Sequence, residues 1–149
     1  MKVLLDTNVI VDILGKTEDV LYSYAAVDTT LLREFEPCIC AGSLTDIVYL
    51  LSARKYRDSA HARAAVEELF DMFEVLDTTS ADCRAAHQSG MQDFEDAVIA
   101  HTAQRCGVDI IVTRDRRGFT ESPVPALSPQ EFLDAYKPVT VTYAMQNLG

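Results

Sequence analysis

The stretch Lys2-Val3-Leu4-Leu5-Asp6 decides the fold, because it is almost entirely apolar and ends on a carboxylate. A strand that is apolar on both faces is typical of a parallel sheet covered by helices on both sides. Residues 9–14 then carry apolar side chains at helical spacing, with Thr7 or Asn8 as the predicted N-cap. The start of the chain therefore predicts a buried strand followed directly by a helix.

The same alternation of strand and helix patterns continues to residue 136. Further strands are predicted at residues 38–41, 74–77, 109–113 and 124–127, the last as an edge strand. Further helices are predicted over residues 18–35, from an N-cap at Ser43, and over residues 59–73, 80–90, 93–106 and 128–136. Because strands alternating with helices form βαβ units, we predict an α/β fold with three α/β/α layers and a central parallel sheet of four or five strands.

The composition is that of an ordinary globular domain, with 149 residues, a mass of 16.5 kDa and 48% hydrophobic residues. No apolar run approaches the roughly 20 residues that a membrane-spanning helix needs. The N-terminus lacks the layout of a signal peptide. We therefore expect a cytoplasmic protein without a membrane segment.

Several common kinds of site are disfavoured by the sequence. The four cysteines form no Cys-x-x-Cys pair, which argues against zinc, and we interpret them as small apolar residues. A P-loop and a Gly-x-Gly-x-x-Gly motif are absent, so ATP or dinucleotide binding is not expected. The histidines lie within helical patterns and suggest no Ser-His-Asp or Cys-His arrangement.

Aspartates adjoin the predicted strands at several points. Asp6 ends the first strand, Asp115 lies two residues after the fourth, and Asp46 is expected in the first turn of the helix after the second. Asp93 and Asp96 are three residues apart and so share one face of a helix. Because sites in such folds form at the carboxyl ends of the strands, we expect these acids to meet at one rim of the sheet.

Each acid also has a structural interpretation when it is taken alone. An aspartate near a helix start caps free N–H groups, and Asp115 could pair with the arginines around it. Their joint occurrence favours a shared site for Mg²⁺ or Mn²⁺, which prefer oxygen ligands and keep several waters. An ion held in this way lowers the pKa of a bound water and so hydrolyses phosphodiesters.

The net charge of −10 argues at first sight against a nucleic-acid substrate, because phosphates attract basic proteins. Setting aside the five aspartates above changes −10 to −5, so local basic patches could still contact RNA. Arg114, Arg116 and Arg117 are the candidate RNA-binding residues closest to the predicted site. Further candidates lie at positions 54, 55 and 57. Solvated helix ends and surface turns are the alternative interpretation of both groups.

The motifs resemble those of PIN-domain ribonucleases, as found in the VapC-like toxins of toxin–antitoxin pairs. The resemblance covers residues 2–136. It rests on the segments Leu5-Asp6-Thr7-Asn8-Val9-Ile10, Asp93-Phe94-Glu95-Asp96-Ala97, Ile111-Val112-Thr113-Arg114-Asp115 and Leu127-Ser128-Pro129-Gln130-Glu131-Phe132. On this basis we expect residues 1–136 to form a PIN-like nuclease domain and residues 137–149 to be a C-terminal tail of uncertain structure.

The resemblance implies a Mg²⁺- or Mn²⁺-dependent endoribonuclease. Asp6, Asp96 and Asp115 would be catalytic metal ligands, and Asp93 matches an extra metal-site acid of an Asp-x-x-Asp variant of the family. Thr113 and Asn8 would support these acids.

Asp46 departs from the family pattern, since many relatives carry Glu at the corresponding catalytic position. Asp is one methylene shorter, so its reach to a metal is reduced. We expect Asp46 to be the fourth catalytic acid, with a water-mediated role or a weakened site as alternatives.

The resemblance also implies partners: an RNA substrate, a cognate antitoxin protein and a second copy of the chain in a homodimer. One alternative is a catalytically weakened PIN-fold module that binds RNA or protein without cutting. Another is a phosphatase of the haloacid-dehalogenase type with Asp6 as nucleophile, which is disfavoured because Asn8 stands where that class has a second Asp. The apolar residues of the tail, from Val139 to Leu148, indicate either a frayed end or a contact with a partner.

Overall fold

Five parallel strands form the central sheet, at the upper end of the predicted number. The computed structural model describes residues 1–54 and 59–144, apart from the side chains at positions 54 and 59. The strands are β1 (Lys2–Leu5), β2 (Glu36–Cys40), β3 (Glu74–Leu76), β4 (Ile110–Val112) and β5 (Ala126–Leu127). Their order across the sheet is β3-β2-β1-β4-β5, so β1 lies at the centre and β5 at an edge as predicted.

The described residues also form seven α-helices and one short 3₁₀ helix. The α-helices are α1 (Thr7–Gly15), α2 (Val20–Leu32), α3 (Ala41–Arg54), α4 (Ser59–Met72), α5 (Ser80–Gln88), α6 (Phe94–Arg105) and α7 (Pro129–Tyr136). The 3₁₀ helix (Arg116–Phe119) follows β4 directly after the loop at residues 113–115.

The helices cover both faces of the sheet, because side chains along β1 alternate between two hydrophobic clusters. Val3 and Leu5 join one cluster, to which α1 to α4 and α7 contribute. Leu4 joins the other, to which α5 and α6 contribute. The predicted three-layer α/β/α architecture is confirmed.

Two predicted N-caps are wrong, and both differences lie at the carboxyl rim of the sheet. Asp6, rather than Thr7 or Asn8, caps α1 by accepting a hydrogen bond from the Thr7 backbone N–H. α3 begins at Ala41, immediately after β2, so Ser43 lies inside the helix. The Ser43 hydroxyl instead accepts a 2.9 Å hydrogen bond from the hydroxyl of Thr7, which joins the starts of α1 and α3.

The predicted and observed element boundaries also differ by a few residues. The second helix is shorter than the predicted 18–35, because the chain leaves the helix after Leu32 and turns through Glu34 at φ +56°. β2 therefore begins at Glu36 rather than residue 38. The other elements lie within one to two residues of their predicted ends, the usual spread of helix and strand boundaries.

The start of the tail contacts the domain rather than fraying. The Tyr143 hydroxyl donates a 2.6 Å hydrogen bond to Asp28 Oδ2 on α2 and lies 3.3 Å from the Thr29 hydroxyl. The apolar positions Met145 and Leu148 are outside the described residues. No helix in the described ranges is long and apolar enough to span a membrane.

Candidate active site

The strand register places Asp6 and Thr113 side by side at the carboxyl rim. Leu5 of β1 pairs with Val112 of β4, so the next residue of each strand lies at the same level. Thr113 is fully buried, and its hydroxyl donates a 2.7 Å hydrogen bond to Asp6 Oδ2. The Thr7 N–H donates to Asp6 Oδ1 at 2.8 Å. Both oxygens of this buried carboxylate are therefore held in place.

Thr113 and Asn8 also fix the loop that follows β4. The Thr113 hydroxyl accepts a 3.0 Å hydrogen bond from the Asp115 N–H and a 3.4 Å hydrogen bond from Asn8 Nδ2. Asn8 Oδ1 in turn accepts from the Arg114 N–H at 3.2 Å. These two bonds hold the backbone N–H groups of Arg114 and Asp115, so Thr113 and Asn8 fix the start of this loop.

Gly118 brings Asp96 and Asp115 together. A Cβ atom at this glycine would lie 2.6 Å from Asp96 Oδ2 and 2.8 Å from Asp115 Oδ2. The two carboxylate oxygens therefore face the same small space, which only a residue without a side chain leaves open. Asp115 Oδ1 caps the 3₁₀ helix by accepting from the Gly118 N–H at 3.2 Å, so Oδ2 stays available.

Asp93 serves as the N-cap of α6. Its Oδ1 accepts a 3.0 Å hydrogen bond from the backbone N–H of Asp96, which sets the first turn of the helix that carries Asp96. This is the structural role that Asp near a helix start was expected to have when taken alone. The charge of the Asp93 carboxylate also adds to that of the cluster.

The acids of the rim are close enough to shift one another's ionisation. Burial raises the pKa of Asp96 to about 7, and the charges of Asp6, Asp93 and Asp115 add to this effect. Burial also raises the pKa of Asp6, against the hydrogen bonds from Thr113 and Thr7 that favour its charged form. Carboxylates that are costly to ionise together are stabilised by a cation among them.

Asp46 lies in the second turn of α3 rather than the predicted first, and it faces an acid that the sequence reasoning did not select. That acid is Glu95 of α6, whose carboxyl is hydrogen-bonded to Asp46. Although the Glu95 side chain as a whole is exposed, burial of its carboxyl and the contact with Asp46 raise its pKa to about 7. Both residues line a cavity of about 250 Å³ beside the other acids. The acidic segment at residues 93–96 was the feature of the sequence that could have identified Glu95 as a further site residue.

The donor set fits a hard divalent cation. Asp6, Asp96 and Asp115 offer carboxylate oxygens, the ligands that Mg²⁺ and Mn²⁺ prefer, and Gly118 leaves space between the last two. No three His, Cys, Asp or Glu side chains in the described ranges are already close enough to enclose an ion. An ion that keeps several of its waters and binds through one or two carboxylates does not require such an enclosure.

The three arginines near the site differ in their surroundings. Arg114 Nε lies 2.6 Å from Asp12 Oδ2, and Arg116 Nη1 lies 2.8 Å from Glu131 Oε1. Arg117 is exposed and has no side-chain partner in the described ranges. The candidates at 55 and 57, and the side chain at 54, lie outside the described residues.

The Arg114 ion pair belongs to a buried network that the sequence reasoning missed. Asp12 of α1 is fully buried and accepts hydrogen bonds from the hydroxyls of Thr17 at 2.7 Å and Ser23 at 2.8 Å, besides pairing with Arg114. This network ties α1 and α2 to the loop that carries Asp115. A buried charge needs such partners. The position of Asp12 within an apolar helical pattern was the feature of the sequence that could have indicated this network.

Comparison with solved structures shows the same fold in VapBC and FitAcB proteins. A structure described as VapBC2 from Rickettsia felis bound to a DNA fragment matches with a TM-score of 0.67 and 18% identity, covering 86% of this chain and 98% of that chain. DNA-bound VapBC from Salmonella typhimurium matches with a TM-score of 0.65 and 21% identity, covering 87% and 98%. FitAcB from Neisseria gonorrhoeae matches with a TM-score of 0.61 and 19% identity, covering 86% and 98%.

A search of curated proteins finds no match. The family model described as the PIN domain matches residues 2–117, which include β1 to β4 and all the acids of the rim. Since this match spans well over half of the chain, the protein belongs to the PIN-domain family.

Proposed function

We propose that this protein is an endoribonuclease that hydrolyses RNA phosphodiester bonds with the help of Mg²⁺ or Mn²⁺. The observation that carries the proposal is the meeting of Asp96 Oδ2 and Asp115 Oδ2 at Gly118, beside the buried Asp6. A metal-activated water would be the nucleophile, because the described residues offer no Ser or Cys nucleophile with a neighbouring base at this rim.

The acids of the rim would hold the divalent ion. Asp96 and Asp115 would be direct ligands, and Asp6, with both oxygens fixed, would be the rigid third acid. When bound, a divalent ion supplies a water of lowered pKa and stabilises the charge that develops on the phosphate. Asp93 would add charge while capping α6, so its role as a ligand is secondary.

Asp46 and Glu95 would complete the site from the side of β2. Asp46 is short for direct ligation, and its hydrogen bond with Glu95 places two carboxyls where the resemblance expects one. We propose that the pair orients water rather than binding the ion directly. If this arrangement is insufficient, the protein is the weakened PIN-fold binding module considered above.

The partners would follow those of the structural relatives, whose descriptions name DNA-bound VapBC proteins and, for Klebsiella pneumoniae, a toxin–antitoxin complex. We propose that a cognate antitoxin restrains this protein in the cytoplasm and that the chain forms a homodimer. An apolar groove of about 170 Å³ between α1, α2 and α4, with the exposed Tyr24 and Met72 at its border, is the surface we assign to the antitoxin. Co-expression with a small protein encoded beside this chain should give a complex that Tyr24→Asp with Met72→Asp weakens.

The nuclease proposal is tested by incubating the pure protein with a mixed RNA pool and Mn²⁺, beside the variant Asp115→Asn. Asn keeps the capping ability of Asp at the start of the 3₁₀ helix but removes its charge. The parent should cut RNA and the variant should not. Equal cleavage by both proteins would contradict the proposal that this carboxylate serves the catalytic site. Binding of RNA without cleavage by the parent would favour the binding module.

A further inference from the structure

A cleft of about 540 Å³ lies between the 3₁₀ helix and β5, at the edge of the sheet next to the acids. We call it the strand-edge cleft. Arg116, Arg117 and Thr120 lie on its helical side, the buried Phe119 contributes to its lining, and Pro125 lies on the side of β5. Its lining includes two arginines and no acidic residue. In a chain with a net charge of −10, this is a local surface that suits an anion.

The cleft and the acid site share one piece of backbone. Gly118, whose position faces the oxygens of Asp96 and Asp115, lies between Arg117 and Phe119 in the 3₁₀ helix. The lining of the cleft therefore begins one residue to either side of the glycine that faces the acids.

Arg117 is the cation in this cleft whose charge is free for a ligand. Arg116 is paired with Glu131, whose second oxygen Oε2 accepts from the Ser128 N–H at the start of α7, so that pair is part of the fold. Arg117 has no such partner in residues 1–54 and 59–144. Its backbone carbonyl accepts a 2.9 Å hydrogen bond from the Thr120 hydroxyl and a 3.3 Å bond from the Thr120 N–H, so the base of the side chain is fixed.

We infer that the strand-edge cleft binds the RNA strand on one side of the scissile phosphate, with Arg117 contacting a backbone phosphate. The inference rests on the proposed ribonuclease function and adds where the substrate lies. The inference also distinguishes the three arginines, since Arg114 and Arg116 are paired with carboxylates while Arg117 would bind substrate. A phosphate contact confers affinity without sequence preference and makes that affinity depend on salt.

The test is single-turnover cleavage of a single-stranded RNA oligomer in Mn²⁺. The cleavage rate is measured as a function of protein concentration, at several salt concentrations between roughly 50 and 200 mM. The variants are Arg117→Ala, Arg117→Lys and Arg63→Ala. Arg63 is an exposed arginine of α4, which packs against α3, so Arg63→Ala makes the same change of charge elsewhere. Pro125→Arg adds a cation on the opposite side of the cleft and keeps the carbonyl that accepts from the Ile111 N–H.

Arg117→Ala should raise the half-saturating protein concentration several-fold. Log affinity falls as log salt rises, and this fall should become shallower by about 0.7, the value for one single-strand phosphate contact. Arg117→Lys should leave the steepness unchanged, and Pro125→Arg should increase it. The saturated cleavage rate of Arg63→Ala should equal that of the parent. If Arg117→Ala and Arg63→Ala behave alike while the parent cuts RNA, the cleft assignment is wrong and the ribonuclease function stands. If the folded parent cuts no RNA, the proposed function itself is wrong.

Discussion

The Thr113 hydroxyl, at the end of β4, donates a 2.7 Å hydrogen bond to Asp6 Oδ2 at the end of β1. This bond joins two neighbouring strands of the sheet, β1 and β4, at the candidate active site. Because it also accepts from the Asp115 N–H, the same hydroxyl sets the position of two acids that are 109 residues apart in the chain (115 minus 6).

Replacing Thr113 by Val should therefore damage both the fold and the site. The buried Asp6 carboxylate would lose a donor, which costs about 1–3 kcal/mol for a buried polar group. Its pKa, already raised by burial, should rise further and Mn²⁺ binding should weaken. Urea unfolding and Mn²⁺ titration of Thr113→Val and Thr113→Ser check this. Thr113→Ser keeps the hydroxyl, so a loss of binding equal to that of Thr113→Val would contradict the assigned role.

Gly118→Ala should remove metal binding while leaving the fold intact. The new methyl group would displace Asp96 Oδ2 and Asp115 Oδ2, which are the ends of side chains and can move away. Gly42→Ala is the matched control, since a Cβ there meets nothing within 4 Å. That control should be at least as stable as the parent, because Ala is favoured over Gly in a helix by up to about 1 kcal/mol. Unchanged Mn²⁺ affinity in Gly118→Ala would show that the ion does not lie between these acids.

Asp96→Asn should stabilise the metal-free protein. The pKa of Asp96 in the fold is about 7, above about 3.9 in the unfolded chain, so the folded state holds a proton that the unfolded state has released. The free energy of unfolding should therefore fall as pH rises between these values. The Asn variant lacks this loss and should have the higher Tm in EDTA at about pH 8. It should also lose the Tm increase that Mn²⁺ gives the parent.

Asp134→Asn is the control for this comparison, because Asp134 is exposed on α7. It should have the Tm of the parent in EDTA and keep the response to Mn²⁺. A rise in Tm equal to that of Asp96→Asn would mean that general charge reduction, rather than the acid cluster, is responsible.

Asp82 should have the opposite pH dependence. Burial alone would raise its pKa, but hydrogen bonds from Arg105 at 2.8 Å and from the Thr79 N–H at 2.9 Å outweigh it and lower the pKa to about 2. This contribution to the stability of the fold is complete above about pH 3.9, the pKa of Asp in the unfolded chain. It is lost as the pH falls towards about 2. Asp82→Asn should thus be less stable at neutral pH and lose less stability on acidification. Urea unfolding across this range, with the exposed Asp71→Asn as control, measures the difference.

The sheet could be predicted because its signal is local. Lys2–Leu5 and Ile110–Val112 are short strands, apolar apart from Lys2, that are followed by capping residues. Their apolar pattern and these flanking residues suffice to predict a strand in each place. The N-cap of α1 could not be predicted in the same way, since Asp6, Thr7 and Asn8 are all good caps. The choice among them depends on Thr113, which is distant in sequence and binds the other oxygen of Asp6.

The site was predictable only in part for a related reason. Residues that follow strands, such as Asp6 and Asp115, are placed by sheet topology alone. The pairing of Asp46 with Glu95 depends on how α3 and α6 sit above the sheet, which periodicity does not specify. The distinct surroundings of Arg114 and Arg117 likewise follow from the folding of Asp12 into the interior.

The source of the oxygen added at the cleaved phosphate distinguishes attack by a water molecule from attack by the ribose 2′-hydroxyl of the RNA. A single-stranded RNA should be cut with Mn²⁺ in water labelled with heavy oxygen, by the parent and by Asp96→Asn, and the product phosphates weighed by mass spectrometry. The parent should give products with one labelled oxygen on the phosphate, and the variant should give none. Cleavage to an unlabelled cyclic phosphate, or equal labelled cleavage by both proteins, would contradict hydrolysis by a water that these carboxylates position.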